Sequence, residues 1–311
     1  MQYRKPVPDF LYAAARTPTL LRLKNVGMHC GCQYTDFPLF RDLAPYSRYD
    51  HSLGVARILW DFTGDPAQTL AGLLHDAATP AISHVVDFLN GDHLTQESTE
   101  AGLEAILKND TALMGVLKYH NIHPDAVVDY SRYPLADCPS PRLCADRLEY
   151  TLSNGVHYGF AADVQYMYDD LAVQEEFVFS TPQIALDFAR MALQCGMVYV
   201  CDEDRYAMER LSRILKKALE DGRITRQDLY TEEPAVIGKL PREDWEPFCR
   251  LHRVFRVEEG GEFAYRIPAK KRWIDPLVRD RGRISALYPE FKEQVEEFLG
   301  YSQDYYICGE S

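Results

Sequence analysis

The sequence predicts a mainly all-α protein on three observations. Apolar residues recur at helical spacing through most of the chain, cap residues and prolines open those runs, and strand-type alternation is confined to one stretch. The first long helix follows Tyr46-Ser47-Arg48 and carries Leu53, Ala56, Leu59 and Trp60. A second starts at Pro66 with Asp65 as N-cap, runs through Leu70, Leu73 and Leu74, and is stopped by Pro80. Helices follow over Ala81–Leu89, ended by Asn90-Gly91, and then near Gln96–Lys108, Thr111–Tyr119 and Ala126–Tyr130. Pro139 and Pro141 lead into a longer one through Asn154, closed by Gly155. Thr181-Pro182 opens a helix whose stripe is Ile184, Phe188, Met191, Cys195 and Val198. Its partner carries Met208, Leu211, Leu215 and Leu219 and ends at Asp221-Gly222, and Thr225 with Asp228 begins a shorter helix. Val254–Val257 and the alternating Phe263, Tyr265 and Ile267, separated by Glu258-Glu259-Gly260-Gly261, predict a β-hairpin within about residues 251–268. The expected division is a core over 1–180 and a helical C-terminal extension over 181–311 that contains the hairpin.

Composition excludes several classes of function. The 311 residues are 46% hydrophobic and 26% charged, which is ordinary globular composition. With 34 basic and 47 acidic residues the net charge is −13, a surface that repels phosphate backbones and anionic membranes. No stretch approaches the roughly 20 apolar residues of a spanning helix. Arg4, Lys5, Asp9 and Arg16 interrupt any signal-type apolar run, so a cytoplasmic protein is expected. Eight cysteines are too few for a disulfide scaffold, and Cys30-Gly31-Cys32 reads as a turn with two semi-buried thiols.

The chemistry concentrates in His51, the adjacent pair His75-Asp76, and Asp146. Neighbouring helical side chains point about 100° apart, so both members of a pair reach one ion only from an exposed helix end. An aspartate there meets the negative end of the helix dipole, and a bound cation resolves that conflict. Two imidazoles and two carboxylates suit one divalent transition metal, Fe, Mn, Zn or Co, with Mg fitting less well. Arg48 shares a helical face with His51, while Arg147, Tyr150 and Asn154 form one stripe beside Asp146.

Three segments in this order resemble the HD-domain superfamily of metal-dependent phosphohydrolases, and in motif its deoxynucleoside triphosphate triphosphohydrolase branch. They are Tyr46–Ala56 around His51, Leu73-Leu74-His75-Asp76, and Ala145-Asp146-Arg147-Leu148-Glu149-Tyr150. The resemblance spans roughly Arg16 to Asn154, with the usual uncertainty at boundaries. It implies an HD-domain helical core in which His51, His75, Asp76 and Asp146 coordinate the ion, with Arg48 and Arg147 stabilising phosphoryl charge and Tyr150 and Asn154 contacting phosphate and sugar. A metal-acidified water then attacks phosphorus. The implied substrate is a small phosphorylated molecule of nucleotide type, and a homodimer is expected from the family alone.

The chain also departs from that branch. After His75-Asp76 it reads Ala77-Ala78-Thr79-Pro80-Ala81-Ile82-Ser83-His84-Val85-Val86-Asp87, with Thr79 where the branch carries a catalytic histidine. Threonine does not shuttle protons near neutral pH as imidazole does. His84 and Asp87 are then the expected acid/base dyad, and His93 falls near another active-site histidine of the branch. His120 and His123 read as a loop between helices. Two readings from other classes compete with the hydrolase: a non-catalytic regulatory module that binds nucleotide or metal, and a binuclear oxygenase with two irons.

Overall fold

A computed structural model describes residues 1–90 and 102–311, and 52% of the chain is helical. The first half contains α1 (Asp9–Ala14), α2 (Pro18–Arg22), α3 (Arg48–Thr63), α4 (Pro66–Leu74), α5 (Val85–Asn90), α6 (Leu103–Asn109), α7 (Thr111–Tyr119), α8 (Asp125–Val128), α9 (Ala145–His157) and α10 (Gln165–Asp169). The second contains α11 (Pro182–Val198), α12 (Asp202–Glu220), α13 (Glu233–Ile237), α14 (Arg242–Cys249), α15 (Ile284–Leu287) and α16 (Pro289–Gly300). The expected mainly helical fold with small C-terminal sheets is what the structure has.

Helix starts follow the side-chain chemistry closely. Ser47 and Asp50 form a capping box that begins α3, and the Asp65 carboxylate accepts from the amides of Ala67 and Gln68 to begin α4. Helix α3 packs against both α4 and α9. Gly54 allows the α9 approach, because a Cβ there would stand 2.6 Å from Cγ of Glu149. The shared core joins Val55 and Leu59 to Leu148, Leu152 and Phe188, all fully buried. Truncating such a leucine to alanine costs about 2–5 kcal/mol.

Helix ends differ more from expectation. Helix α4 stops at Leu74, so the chain has left the helix before Pro80. Gly155 does not close α9, which runs on to His157. The glycine is there for packing, since its Cβ would lie 2.2 Å from Sδ of Met191. The two expected strands, β3 (Arg253–Val257) and β4 (Ala264–Tyr265), share one sheet, with the C-terminal β7 (Tyr306–Glu310) seated between them. A second sheet, in the order β1-β2-β5-β6, joins β1 (Leu171–Val173) and β2 (Phe177–Phe179) to β5 (Leu277–Val278) and β6 (Gly282–Arg283). Among the described residues no single helix is long and apolar enough to cross a membrane.

Candidate metal centre

Three segments bring their donors together. His51 comes from the first turn of α3, His75 and Asp76 from the turn that follows α4, and Asp146 from the first turn of α9. Among the described residues, ligand atoms of His51, His75 and Asp76 all lie within 4.8 Å of one another. The two Nε2 atoms are 3.3 Å apart. Asp76 Oδ2 stands 3.9 Å from His51 Nε2 and 3.7 Å from His75 Nε2. Asp146 Oδ1 lies 3.0 Å from His51 Nε2 and 3.8 Å from His75 Nε2.

The other nitrogen of each imidazole is engaged, which aims both Nε2 atoms at the cluster centre. His51 Nδ1 meets Glu149 Oε2 at 2.5 Å, and His75 Nδ1 donates to the Gly72 carbonyl at 2.7 Å. Glu149 is itself held by the hydroxyls of Tyr46, at 2.5 Å, and Ser153, at 2.7 Å. This is how proteins orient histidine ligands. The donor set, two imidazoles with one or two carboxylates, therefore fits a divalent ion.

The electrostatics favour ionised carboxylates despite burial. Burial opposes the charge on Asp76, but Arg48, then His75 and His51, hold it well below the usual carboxylate range. Arg48 Nη1 donates to Asp76 Oδ2 at 2.9 Å, and the hydroxyl of Thr79 donates to Oδ1 at 2.9 Å. The residue that departs from the resembled branch thus orients the Asp76 carboxylate. Burial also opposes charge on Asp146, yet its hydrogen bond and charge interaction with His51 bring it down to about 2. For His51 burial disfavours the proton, while Glu149 and Asp146 outweigh it and push the imidazole up to about 10. A cation at the centre would replace that proton.

Comparison with known proteins agrees with this chemistry. No protein-family model matches the chain. It is 26% identical over 277 residues to the metal-dependent phosphohydrolase cns2 of Cordyceps militaris, covering 81% of this chain and 78% of that one. Identity to the uncharacterized protein YdhJ of Bacillus subtilis is 28% over 242 residues, 75% of this chain and 74% of the relative. A solved phosphohydrolase from Bacteroides thetaiotaomicron superposes with a TM-score of 0.63 at 15% identity, covering 99% of this chain and 97% of that one. A hypothetical protein from Aquifex aeolicus gives 0.64 at 19% identity, with 97% and 93% covered. At these identities the solved structures speak for the fold. The triad and the homology support an HD-domain superfamily assignment. They also support a metal-dependent hydrolase in general terms, with a divalent-metal site.

Around this centre the remaining candidates separate. His84 Nδ1 pairs with Asp87 Oδ2 at 2.8 Å, and Asp87 is fully buried. Burial lowers the His84 imidazole and the Asp87 hydrogen bond offsets this in part, so it stays below its ordinary value. Arg147 is held by the loop before α9: Nη1 donates to the Arg142 carbonyl at 2.9 Å and to the sulfurs of Cys138 and Cys144. Asn154 Nδ2 donates to the Tyr199 hydroxyl at 2.7 Å, and the Tyr150 ring packs edge-on to Tyr199. His93 lies outside the described residues. His123 faces Asp125 on the surface, and His120 packs against Phe10 and Tyr119.

Two buried glutamates go beyond the candidates that the sequence singles out. Glu149 stands in the Ala145–Tyr150 motif with no local mark of its role. Its one hint is distant, the glycine at position 54 that makes room for it. Glu233 has no local signal. Its carboxylate accepts from the amides of Gly27 at 2.8 Å and Ile82 at 3.2 Å and from the Tyr34 hydroxyl at 2.6 Å. The bond to Ile82 matters because Ile82 and Ser83 both adopt positive φ, 65° and 48°. Such backbone strain costs about 1–3 kcal/mol per residue and persists only where surrounding groups enforce it. The strained turn places the Ser83 hydroxyl 3.2 Å from Arg48 Nε and delivers His84 to its partner Asp87.

Proposed function

We propose that the protein is a metal-dependent phosphohydrolase that cleaves a phosphate ester or anhydride of a nucleotide or similar small molecule. The observation that carries the reading is the convergence of His51, His75 and Asp76 with both Nε2 atoms turned inward. In this reading Asp146 is the fourth ligand, and one transition metal is bound. Such an ion supplies Lewis acidity toward a phosphoryl oxygen and acidifies a water molecule.

The chain's own groups do the remaining work. Arg48 orients the Asp76 carboxylate and brings positive charge beside the position a phosphoryl group occupies. His84 is neutral near physiological pH, because burial holds its pKa down, and Asp87 fixes its ring through Nδ1. Nε2 is then the nitrogen that accepts or returns a proton. Thr79 keeps the second Asp76 oxygen in place and takes no part in proton transfer. Arg147, whose Nη1 is shared among a carbonyl and two sulfurs, makes no phosphate contact in this reading.

Turnover of a phosphate panel, from p-nitrophenyl phosphate to nucleoside mono-, di- and triphosphates, tests this with Mn, Co, Fe and Mg supplied in turn. The expected result is hydrolysis of at least one compound that disappears in Asp76→Ala. Saturable nucleotide binding with unchanged ligand after prolonged incubation would replace the reading with the regulatory module.

A further inference from the structure

Residues 77–83 run from the pair His75-Asp76 to His84, and chain segments distant in sequence hold them. Arg22, the last residue of α2, is half-buried against this stretch. Its Nη2 donates to the Ala77 carbonyl at 3.0 Å and the Thr79 carbonyl at 2.8 Å, and its Nη1 to the Thr231 carbonyl at 3.0 Å. The Ala81 amide donates to the Leu229 carbonyl at 2.6 Å. Buried Glu233 accepts from the amides of Ile82 and Gly27 with one oxygen, Oε1, while the Tyr34 hydroxyl donates to Oε2.

Followed bond by bond, both oxygens of Asp76 lead to the same anchor. Oδ1 accepts from the Thr79 hydroxyl at 2.9 Å, the Thr79 carbonyl accepts from Arg22, and Arg22 donates on to Thr231. Oδ2 accepts from Arg48 Nη1 at 2.9 Å, and Arg48 Nε donates to Ser83 Oγ at 3.2 Å. The Ser83 hydroxyl donates to the Gly27 carbonyl at 3.1 Å, and the Gly27 amide donates to Glu233 at 2.8 Å. Thr231 and Glu233 are two positions apart where α13 begins, in the C-terminal half.

We propose that Arg22 and Glu233 are positioning residues for the metal centre, tying both carboxylate oxygens of Asp76 to residues 231–233. This role deepens the hydrolase reading and rests on Asp76 being a ligand.

The physical reason is directional. A carboxylate free to rotate loses conformational entropy when an ion fixes it, whereas one held at both oxygens has already lost that freedom. Arginine suits the first path because its planar fork reaches several carbonyls at once. On the second, the acceptor at 233 stabilises Ile82 and Ser83 at positive φ, conformations that isoleucine and serine keep only where surrounding groups enforce them. Without that acceptor the turn relaxes, Ser83 leaves Arg48, and the guanidinium that orients Asp76 loses its own support.

Calorimetric Mn titration of the full-length protein, well below its unfolding midpoint, tests this role. Arg22→Met removes the fork and keeps an apolar stem, and Glu233→Met removes the acceptor. Glu233→Gln keeps an acceptor oxygen for the two amides without the charge. Mn affinity is expected to fall about tenfold in both methionine variants and to stay within about threefold of wild type in Glu233→Gln. Leu215→Ala, in the buried core of α12, is the destabilised control: its urea midpoint drops while its Mn affinity holds. An equal affinity loss in that control, or in Glu233→Gln and Glu233→Met alike, would overturn the role. So would methionine variants within about twofold of wild type. Amide exchange over residues 77–83 of the chelator-treated protein needs no ion. It is expected to rise about tenfold in the methionine variants and not in Glu233→Gln, and unchanged exchange in all of them would overturn the hold on the turn. If Glu233→Met does not fold, Arg22→Met decides the point by itself. Wild type that bound no Mn would sink the metal reading, while the exchange result would still decide whether Arg22 and Glu233 hold residues 77–83.

Discussion

Asp76 is partly buried and Asp204 buried, and the protein treats the two aspartates in opposite ways. Asp76, at the metal centre, is held ionised by Arg48 and two imidazoles against the cost of burial. Asp204, in the first turn of α12, is pushed up to about 7 by burial, and its Cys32 hydrogen bond with the weaker pull of Arg205 and Arg272 does not compensate. The difference shows what makes a ligand. Burial alone neutralises a carboxylate, and only a cluster of close cationic groups keeps it available to a metal. The same contrast separates the two halves of the molecule, since the C-terminal half stabilises the strained turn through Glu233 but supplies no donor to the triad.

Breaking the Asp76 side should have the largest effect. Asp76→Asn is expected to lower metal affinity by more than the 10–100-fold typical of losing an outer partner, roughly two orders of magnitude or beyond. Calorimetry with Mn checks it. Next is Arg48→Met, which leaves Asp76 buried without its cation. Removing one member of a buried pair costs about 3–5 kcal/mol, read as a lower urea midpoint in chelator-treated protein. Glu149→Gln weakens the charge behind His51 and should reduce Mn affinity about 10–100-fold while leaving the fold intact. An affinity within twofold of wild type would mean that Glu149 serves packing alone.

The smallest effect sharpens the Asp204 side. Its folded pKa of about 7 lies above the ordinary 3.8, so the folded protein binds the proton more tightly than the unfolded chain. That stabilisation is complete below about pH 4 and is lost as pH rises through about 7. Asp204→Asn should therefore flatten the fall in Tm across this window, and an unaltered slope would contradict the assignment. The wider pH profile of the protein includes other groups, so the difference between variant and wild type is the relevant quantity.

Much of this is legible in the chain because local chemistry carries it. Capping residues mark the starts of α3 and α4, and apolar spacing marks α11 and α12. The four candidate ligands are visible because their types and flanks are unusual together; the fold clusters His51, His75 and Asp76, and sets Asp146 Oδ1 3.0 Å from His51 Nε2. Side-chain direction is not legible. Arg147 adjoins Asp146, yet its guanidinium is captured by Cys138 and Cys144, residues that no helical stripe connects to it. Helix ends depart from expectation where tertiary contact outweighs propensity, as at Gly155 against Met191. The β7 strand between β3 and β4 depends on a pairing across some fifty residues, which a local alternation cannot reveal.

Elemental analysis of protein purified without chelator or added metal, set beside His75→Ala prepared identically, bears most directly on the His51–His75–Asp76 centre. The expected result is one transition-metal ion per wild-type chain and almost none in the variant. Wild type that stays metal-free even after Mn or Fe is supplied, or a variant that retains the full complement, would contradict it.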